Sequence, residues 1–311
     1  MLAEIGPPVN LSARPHDPGD APPPRPSAFA SPLVLAPRRP YHPPVAPLCS
    51  ALSACAAVAS LCWLLSVASR EYSWVDRVWS LLPPLYVAWF AYQVDFADPR
   101  LVVMTALSSL WGARLTFNFV RKGGYAPGGE DYRWAELRRR MRPRQFAAFN
   151  FFFIAGFQNL LLLLLALPAH AALIGRHAPW GPLDTLATAL FLALLLGETI
   201  ADEQQWRFHR HKKAREARGE AGPRFLTRGL FRLSRHPNFF CEISMWWAFY
   251  LFSVAAGQGW LNPSIAGAVV LTALINGSTS FTEQISRAKY PEYAEYQRTT
   301  PRLVPWPRRG R

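Results

Sequence analysis

Seven blocks of mainly apolar sequence, each near the length that crosses a bilayer, constrain this chain more than any other feature. They run at about 48–68, 78–94, 101–120, 146–168, 183–202, 239–257 and 263–281. A helix needs roughly 20 such residues to cross a membrane. Lipid leaves no partner for an unbonded peptide group, so a helix is the spanning form these blocks permit. The last block ends on Asn276, Ser278, Thr279 and Ser280 and is the most polar. The expectation is an all-α, polytopic membrane helix bundle with six or seven transmembrane helices, in contact with membrane lipids.

The charge pattern alternates with these blocks. Residues 121–144 hold eight Lys/Arg against three acids, 205–236 hold ten against two, and 282–311 hold seven against three. The intervening links are poor in cations: 95–100 has one Arg beside Asp95 and Asp98, and 169–182 has only Arg176. An excess of Lys and Arg marks cytosolic loops, so the three basic segments are expected in the cytosol. The same pattern explains the net charge of +14 without nucleic acid, because the arginines flank lipid-facing helices. Residues 1–47 carry 14 of the 29 prolines and no apolar run able to fold, which predicts disorder. The domain proper is then 48–311. Cys49, Cys55, Cys62 and Cys241 show no paired spacing, which argues neither zinc nor a disulfide framework.

Three polar intrusions stand out. In GLFRLSRHPNFFCE, 229–242, Pro237 can open the helix of the sixth block. Asn238 and Glu242 then lie one turn apart on one face. Arg235 and His236 precede them, and all four are expected where water meets lipid. The cluster suits a phosphorylated cofactor entering a bundle from its polar end; a surface anchor with a helix cap is the alternative. In GETIADEQQWRFH, 197–209, Glu198, Asp202, Gln205 and His209 are spaced 4, 3 and 4 and share a face. An acid toward the membrane centre costs about 2.5–3.5 kcal/mol, so such residues face a polar interior. The third is Arg114, some six residues before the end of its block, where snorkelling accounts for it. Asn118, Arg121 and Lys122 continue that face and would suit a phosphate-bearing ligand. Asp76 and Arg77 neutralise each other at the mouth of the second block. Asn150, Gln158 and Asn159 read as helix cross-links. His209, His211 and His236 lack a second carboxylate at ligand spacing and read as surface residues rather than a metal set. With no G-x-G-x-x-G, Walker lysine or G-x-S-x-G elbow, a nucleotide would be gripped by helices and loops.

GETIADEQQWRFH, GLFRLSRHPNFFCE and FTEQISRAKYPEYAEYQRTTPRLVPW, in that order, resemble the steroid 5-alpha-reductase-like family of integral membrane proteins. SWVDRVWSLLP, GARLTFNFVRKGGY and EDYRWAELR extend the resemblance over residues 72–306, toward the short branch sharing the reductase C-terminal domain. The resemblance implies an NADPH site built by the C-terminal part, about 183–306, in a cleft on the cytosolic side. It places Glu198 and Asp202 at the nicotinamide and ribose, and His209 near the phosphates. Arg235, His236, Asn238 and Glu242 match its second cofactor motif, with Arg121 and Lys122 in a basic loop that reaches the cofactor. The Glu and Tyr that polarise a steroid enone are replaced: the region offers Asp76, the candidate catalytic residue, and Trp111. The arginine that relatives carry in the last span is absent, and Asn276–Ser280 stands there.

The implied function is an oxidoreductase that uses NADPH to reduce a carbon–carbon double bond in a sterol, enoyl lipid or polyprenoid, in the endoplasmic reticulum if the chain is eukaryotic. Two alternatives stay open. One is an S-adenosylmethionine-dependent methyltransferase of the isoprenylcysteine type, which shares the R-H-P and terminal Glu–Tyr–Pro pattern. The other is a non-catalytic lipid-binding or scaffold protein.

Overall fold

The computed structural model describes residues 45–307. The proline-rich stretch expected to be disordered lies outside them, except that residues 45–47 are helical and open the first helix. α1 (Val45–Ser69), the paired short helices α2 (Trp74–Trp79) and α3 (Leu82–Tyr92), and α4 (Pro99–Arg121) come first. Two short surface helices follow, α5 (Tyr132–Arg140) and α6 (Pro143–Phe149), the latter running through a π-helical segment, Asn150–Phe157, into α7 (Gln158–Ile174). α8 (Pro182–Ala217), α9 (Pro237–Ser253), α10 (Ala266–Lys289) and α11 (Tyr293–Thr299) complete the bundle.

Among the described residues, five helical stretches are long and apolar enough to cross a membrane: Val45–Ser69, Pro143–Ile174, Pro182–Ala217, Pro237–Gln258 and Pro263–Lys289. α4, with 23 residues, has the length as well but carries Arg100, Arg114 and Arg121. The chain is therefore a multi-pass membrane protein whose outer surface meets lipid. Leu61, Leu64, Phe117, Phe152 and Leu196 are more than half exposed on that surface, tolerable where the solvent is hydrocarbon. The block at 78–94 is not one helix. Pro83 and Pro84 fall in the first turn of α3, where proline is accepted, and the chain turns at Ser80–Leu81 because prolines cannot continue α2.

The core joins α1, α3, α4, α7, α8, α9 and α10 around Phe90, Trp111, Leu161, Phe191, Trp246 and Phe249. Close approach is bought by glycine where helices cross. A β-carbon on Gly267 of α10 would stand 2.4 Å from the Leu164 carbonyl of α7, and one on Gly112 of α4 would stand 2.4 Å from the Ser80 carbonyl. The end opposite the basic segments is pinned by one ion pair. Arg100 donates through Nε and Nη2 to Asp184 at 2.6 and 2.9 Å, and both side chains are almost fully buried. Asp184 also accepts from Gly181 N at 2.9 Å, closing the start of α8. Asp98 caps α4 through Leu101 N at 2.9 Å.

At the basic end each of the three cationic segments is tied to a neighbouring helix or segment. Arg121 donates to Glu203 at 2.7 Å, Arg133 to Ser278 at 2.7 Å, Lys212 to Tyr290 at 2.9 Å, and Arg302 to Asn276 and Ser280 at 2.6 and 2.7 Å. Lys212 and Tyr290 join two of these segments directly, and Arg121 and Arg133 reach α8 and α10 beside them.

Candidate functional site

Three helices each present two polar side chains one turn apart: Arg114 and Asn118 on α4, Glu198 and Asp202 on α8, Asn238 and Glu242 on α9. A four-residue spacing stacks such pairs on one face, and the packing of α8 along α9 and α4 turns the three faces together. Arg114 donates through Nη2 to Glu198 Oε1 and through Nη1 to Asp202 Oδ2, both at 2.8 Å. Asn118 donates to Asp202 Oδ2 at 2.7 Å and Asn238 to Asp202 Oδ1 at 3.3 Å. Glu242 accepts an indole N–H on each oxygen, from Trp111 at 2.9 Å and Trp246 at 3.0 Å. The two indoles meet edge to face with centroids 5.0 Å apart, a favourable arrangement of their quadrupoles.

The three acids are deeply buried: Glu198 is 5 %, Asp202 7 % and Glu242 7 % exposed. A buried charge is tolerated only when paired and hydrogen-bonded, and Asp202 meets that condition completely. The cluster is not closed, however. Arg114 Nε and Glu198 Oε2 are both buried and without a hydrogen-bond partner. One is a donor and one an acceptor, and both belong to this cluster.

A second cluster lies toward the basic end. Arg235 grips Glu283 with Nε and Nη2 at 2.6 and 3.0 Å and turns Nη1 to the carbonyls of Gln297 and Thr300. His236 Nε2 is 2.9 Å from Glu283 Oε1, and Gln297 donates to Glu283 Oε2 at 3.0 Å. Backbone bonds from Arg235 N to Pro301 O (2.9 Å) and His236 N to Arg302 O (3.1 Å) lay the tail along this turn. Glu283, which has no partner nearby in sequence, is thus the hub of the turn.

The sequence-derived site residues consequently divide. Glu198, Asp202, Asn238 and Glu242 come together in the first cluster, inside the bundle, so Glu242 does not sit at the water boundary. Arg235 and His236 hold the tail in the second. Arg121 pairs with Glu203 and lies between the rings of Phe117 and Trp206. Lys122 and His209 are exposed on the basic rim. Asp76 belongs elsewhere: it accepts from Trp134 Nε1 at 2.9 Å, in a small apolar cluster of Val75, Trp134, Phe146 and Ile154. Desolvation there outweighs the hydrogen bonds from Trp134 and Ser73 and holds its carboxyl above the usual range. No contact among the described residues links it directly to the acids of α8.

Residue reasoning missed Arg114 as an ion-pair partner, and with it the indole donors Trp111 and Trp246. The signal was present: Arg114 and Asn118 show the same spacing as the other two pairs. The stretch Asn276–Ser280 of α10, which holds no arginine, receives Arg133 and Arg302 from other segments. Asn150 does cross-link helices, donating to Ser66 of α1 at 2.8 Å, whereas Asn159 bonds within its own helix, to Ala155 O.

An uncharacterised protein of Schizosaccharomyces pombe is 38 % identical over 258 residues, covering 78 % of this chain and 75 % of the relative. No solved structure matches the chain. The family model described as "Protein of unknown function (DUF1295)" matches residues 62–300, all the helices from the end of α1 to α11, and the chain belongs to that family.

Proposed function

We propose that this protein is an NADPH-dependent membrane oxidoreductase that reduces a carbon–carbon double bond in a lipid-like substrate such as a sterol, enoyl lipid or polyprenoid. For a eukaryotic chain the proposed membrane is that of the endoplasmic reticulum. The observation that carries the reading is a buried polar cluster, open at one donor and one acceptor, beneath a basic rim. Buried polar atoms without partners are rare in folded proteins and call for a reason.

The residues fit the cofactor. Glu198 Oε2 would accept from a carboxamide or ribose hydroxyl, and Arg114 Nε and the amides of Asn118 and Asn238 would complete that contact. Lys122 and His209, exposed on the rim, would take the phosphates, with Arg121 behind them. Bound there, NADPH supplies hydride. The chain's own part is to orient the reacting groups in a bundle free of water and to meet developing charge with fixed donors. The tail, held on Arg235 and Glu283, roofs the polar end.

One observation favours a second reading. Arg121 and Arg235 are already engaged by Glu203 and Glu283, which leaves fewer cations for a 2′-phosphate and suits the less anionic S-adenosylmethionine of a methyltransferase.

Melting of the detergent-purified protein with NADPH, NADH or S-adenosylmethionine separates these. A ligand bound only by the folded state adds about 2.7 kcal/mol at a hundredfold excess over its dissociation constant. NADPH is expected to raise the melting temperature, and D202A or N238A to weaken that effect. A shift with S-adenosylmethionine alone would make the protein a methyltransferase, and no shift with any of the three would favour a lipid-binding scaffold.

A further inference from the structure

Outside the polar core, the densest charge on the chain lies in RRRMRPR, 138–144, where five of seven residues are arginine and none is acidic. The segment is held in place. Trp134 of α5 is buried with Val75, Phe146 and Ile154 and donates to Asp76 at 2.9 Å, which fixes α5 beside the start of α6. Arg138 reaches Glu130 at 3.5 Å and lies over the Tyr72 ring. Arg139 and Arg140 share one acid, Glu136, at 2.7 Å each, and Arg140 also lies over Phe281. Arg142 and Arg144 are exposed and have no acidic partner among the described residues. Two guanidinium groups thus stand unneutralised, two residues apart, and Arg139 beside them keeps 78 % of its side chain exposed.

These arginines open a membrane span. Pro143–Ile174 has 32 residues, on the order of 48 Å of helix, against a hydrocarbon core of ~30 Å. The excess length and the charge of Arg144 set its first turn among the headgroups, where a guanidinium escapes the cost of hydrocarbon. Beyond Arg144 the exposed residues follow helical spacing: Ala147 and Ala148 one turn on, then Phe151 and Phe152. The two alanines leave a trough between the guanidinium and the two rings, of which Phe151 is 47 % and Phe152 70 % exposed. The opposite face, with Phe146, Asn150 and Ile154, is buried in the protein. Trp63 of α1 meets Phe151 edge to face, centroids 5.3 Å apart, and walls the trough on one side. Charge at the top and apolar surface beneath it, in one line along the helix, is the outline of a phospholipid.

We propose that this stripe binds an anionic phospholipid, its headgroup between Arg142 and Arg144 and one acyl chain over Ala147 and Ala148 against Phe151 and Phe152. A guanidinium matches phosphate oxygens two at a time, and clusters of about four to eight cations beside a span attract anionic headgroups. The phosphodiester occupies one of the two unpaired guanidinium groups. The second calls for a further negative charge, which phosphatidylserine carries and a zwitterionic lipid lacks. The site uses none of the acids of α8 and α9 and stands independently of the reductase reading.

Native mass spectrometry of the full chain in nonionic detergent tests this, with phosphatidylserine or phosphatidylcholine of the same acyl chains added in turn. Wild type is expected to retain phosphatidylserine in preference to phosphatidylcholine, and R142Q/R144Q to bind it about thirtyfold more weakly, roughly a factor of five for each arginine near the surface. R210Q/K213Q removes equal charge from exposed positions of α8 and is expected to bind as wild type does. Equal retention of both lipids by wild type, unchanged binding in R142Q/R144Q, or the same loss in R210Q/K213Q would each overturn the proposal. Should R142Q/R144Q fail to fold, A147W fills the trough without altering any charge. Loss of phosphatidylserine is expected there, and binding at wild-type strength would overturn the proposal as well.

Discussion

Arg114 shows why a charged residue in an apolar block is hard to place from sequence. Its position, about a turn and a half from the end of its block, fits snorkelling, and only the facing surface of α8 reveals otherwise. Held between Glu198 and Asp202, it is the one ion-pair partner these acids have among the described residues. Removing one partner of a buried pair strands the other, at about 3–5 kcal/mol, although exchanging the whole set for neutral groups costs far less. R114A is therefore expected to lower the melting temperature sharply, and R114A combined with E198Q and D202N to recover part of that loss. Equal melting of R114A and wild type would show that the pairing contributes nothing to stability. Asp202, Asn238 and Glu242 were legible because each lies one turn from a polar neighbour. Their shared destination was not, since spacing within a helix gives its face and says nothing of what that face meets.

At the scale of elements, the apolar blocks gave the long helices almost directly, because length and composition alone determine whether a segment can cross hydrocarbon. The departures have local causes that were in view. Pro83 and Pro84 split 78–94 into α2 and α3. α8 runs to Ala217, well past its apolar part, because Arg, Lys, Glu and Gln are good helix formers in water as well. The π-helical segment at Asn150–Phe157 has no signal we recognise in the sequence. Glycines that set helix spacing were equally silent, since only the neighbouring backbone distinguishes them. Gly267 and Gly277 lie on the same helix, yet a β-carbon on Gly267 strikes Leu164 of α7 whereas one on Gly277 meets nothing within 4 Å. G267A is expected to destabilise by about 1–3 kcal/mol through overpacking. G277A should stabilise by up to ~1 kcal/mol through helix propensity. Thermal melts of the two variants side by side check this, and a G267A protein as stable as wild type would refute the close contact of α7 and α10.

For the molecule as a whole, the alternation of cation-rich and cation-poor links carries a further implication, an orientation. In sealed vesicles, on a C49S background, R210C should react with an impermeant maleimide from the cytosolic face only, and H177C from the opposite face only. The reverse pattern, or reaction of both from one face, would overturn the topology. The turn of Arg235 adds something about time. Its guanidinium is satisfied by Glu283, Gln297 and Thr300, all made after it. While the ribosome is still adding α10 and the tail, Arg235 and His236 have none of these companions, and the roof of the polar end cannot close. A chain shortened by a premature stop before Glu283 would therefore keep the helices up to α9 yet leave the Arg235 guanidinium without any of these partners.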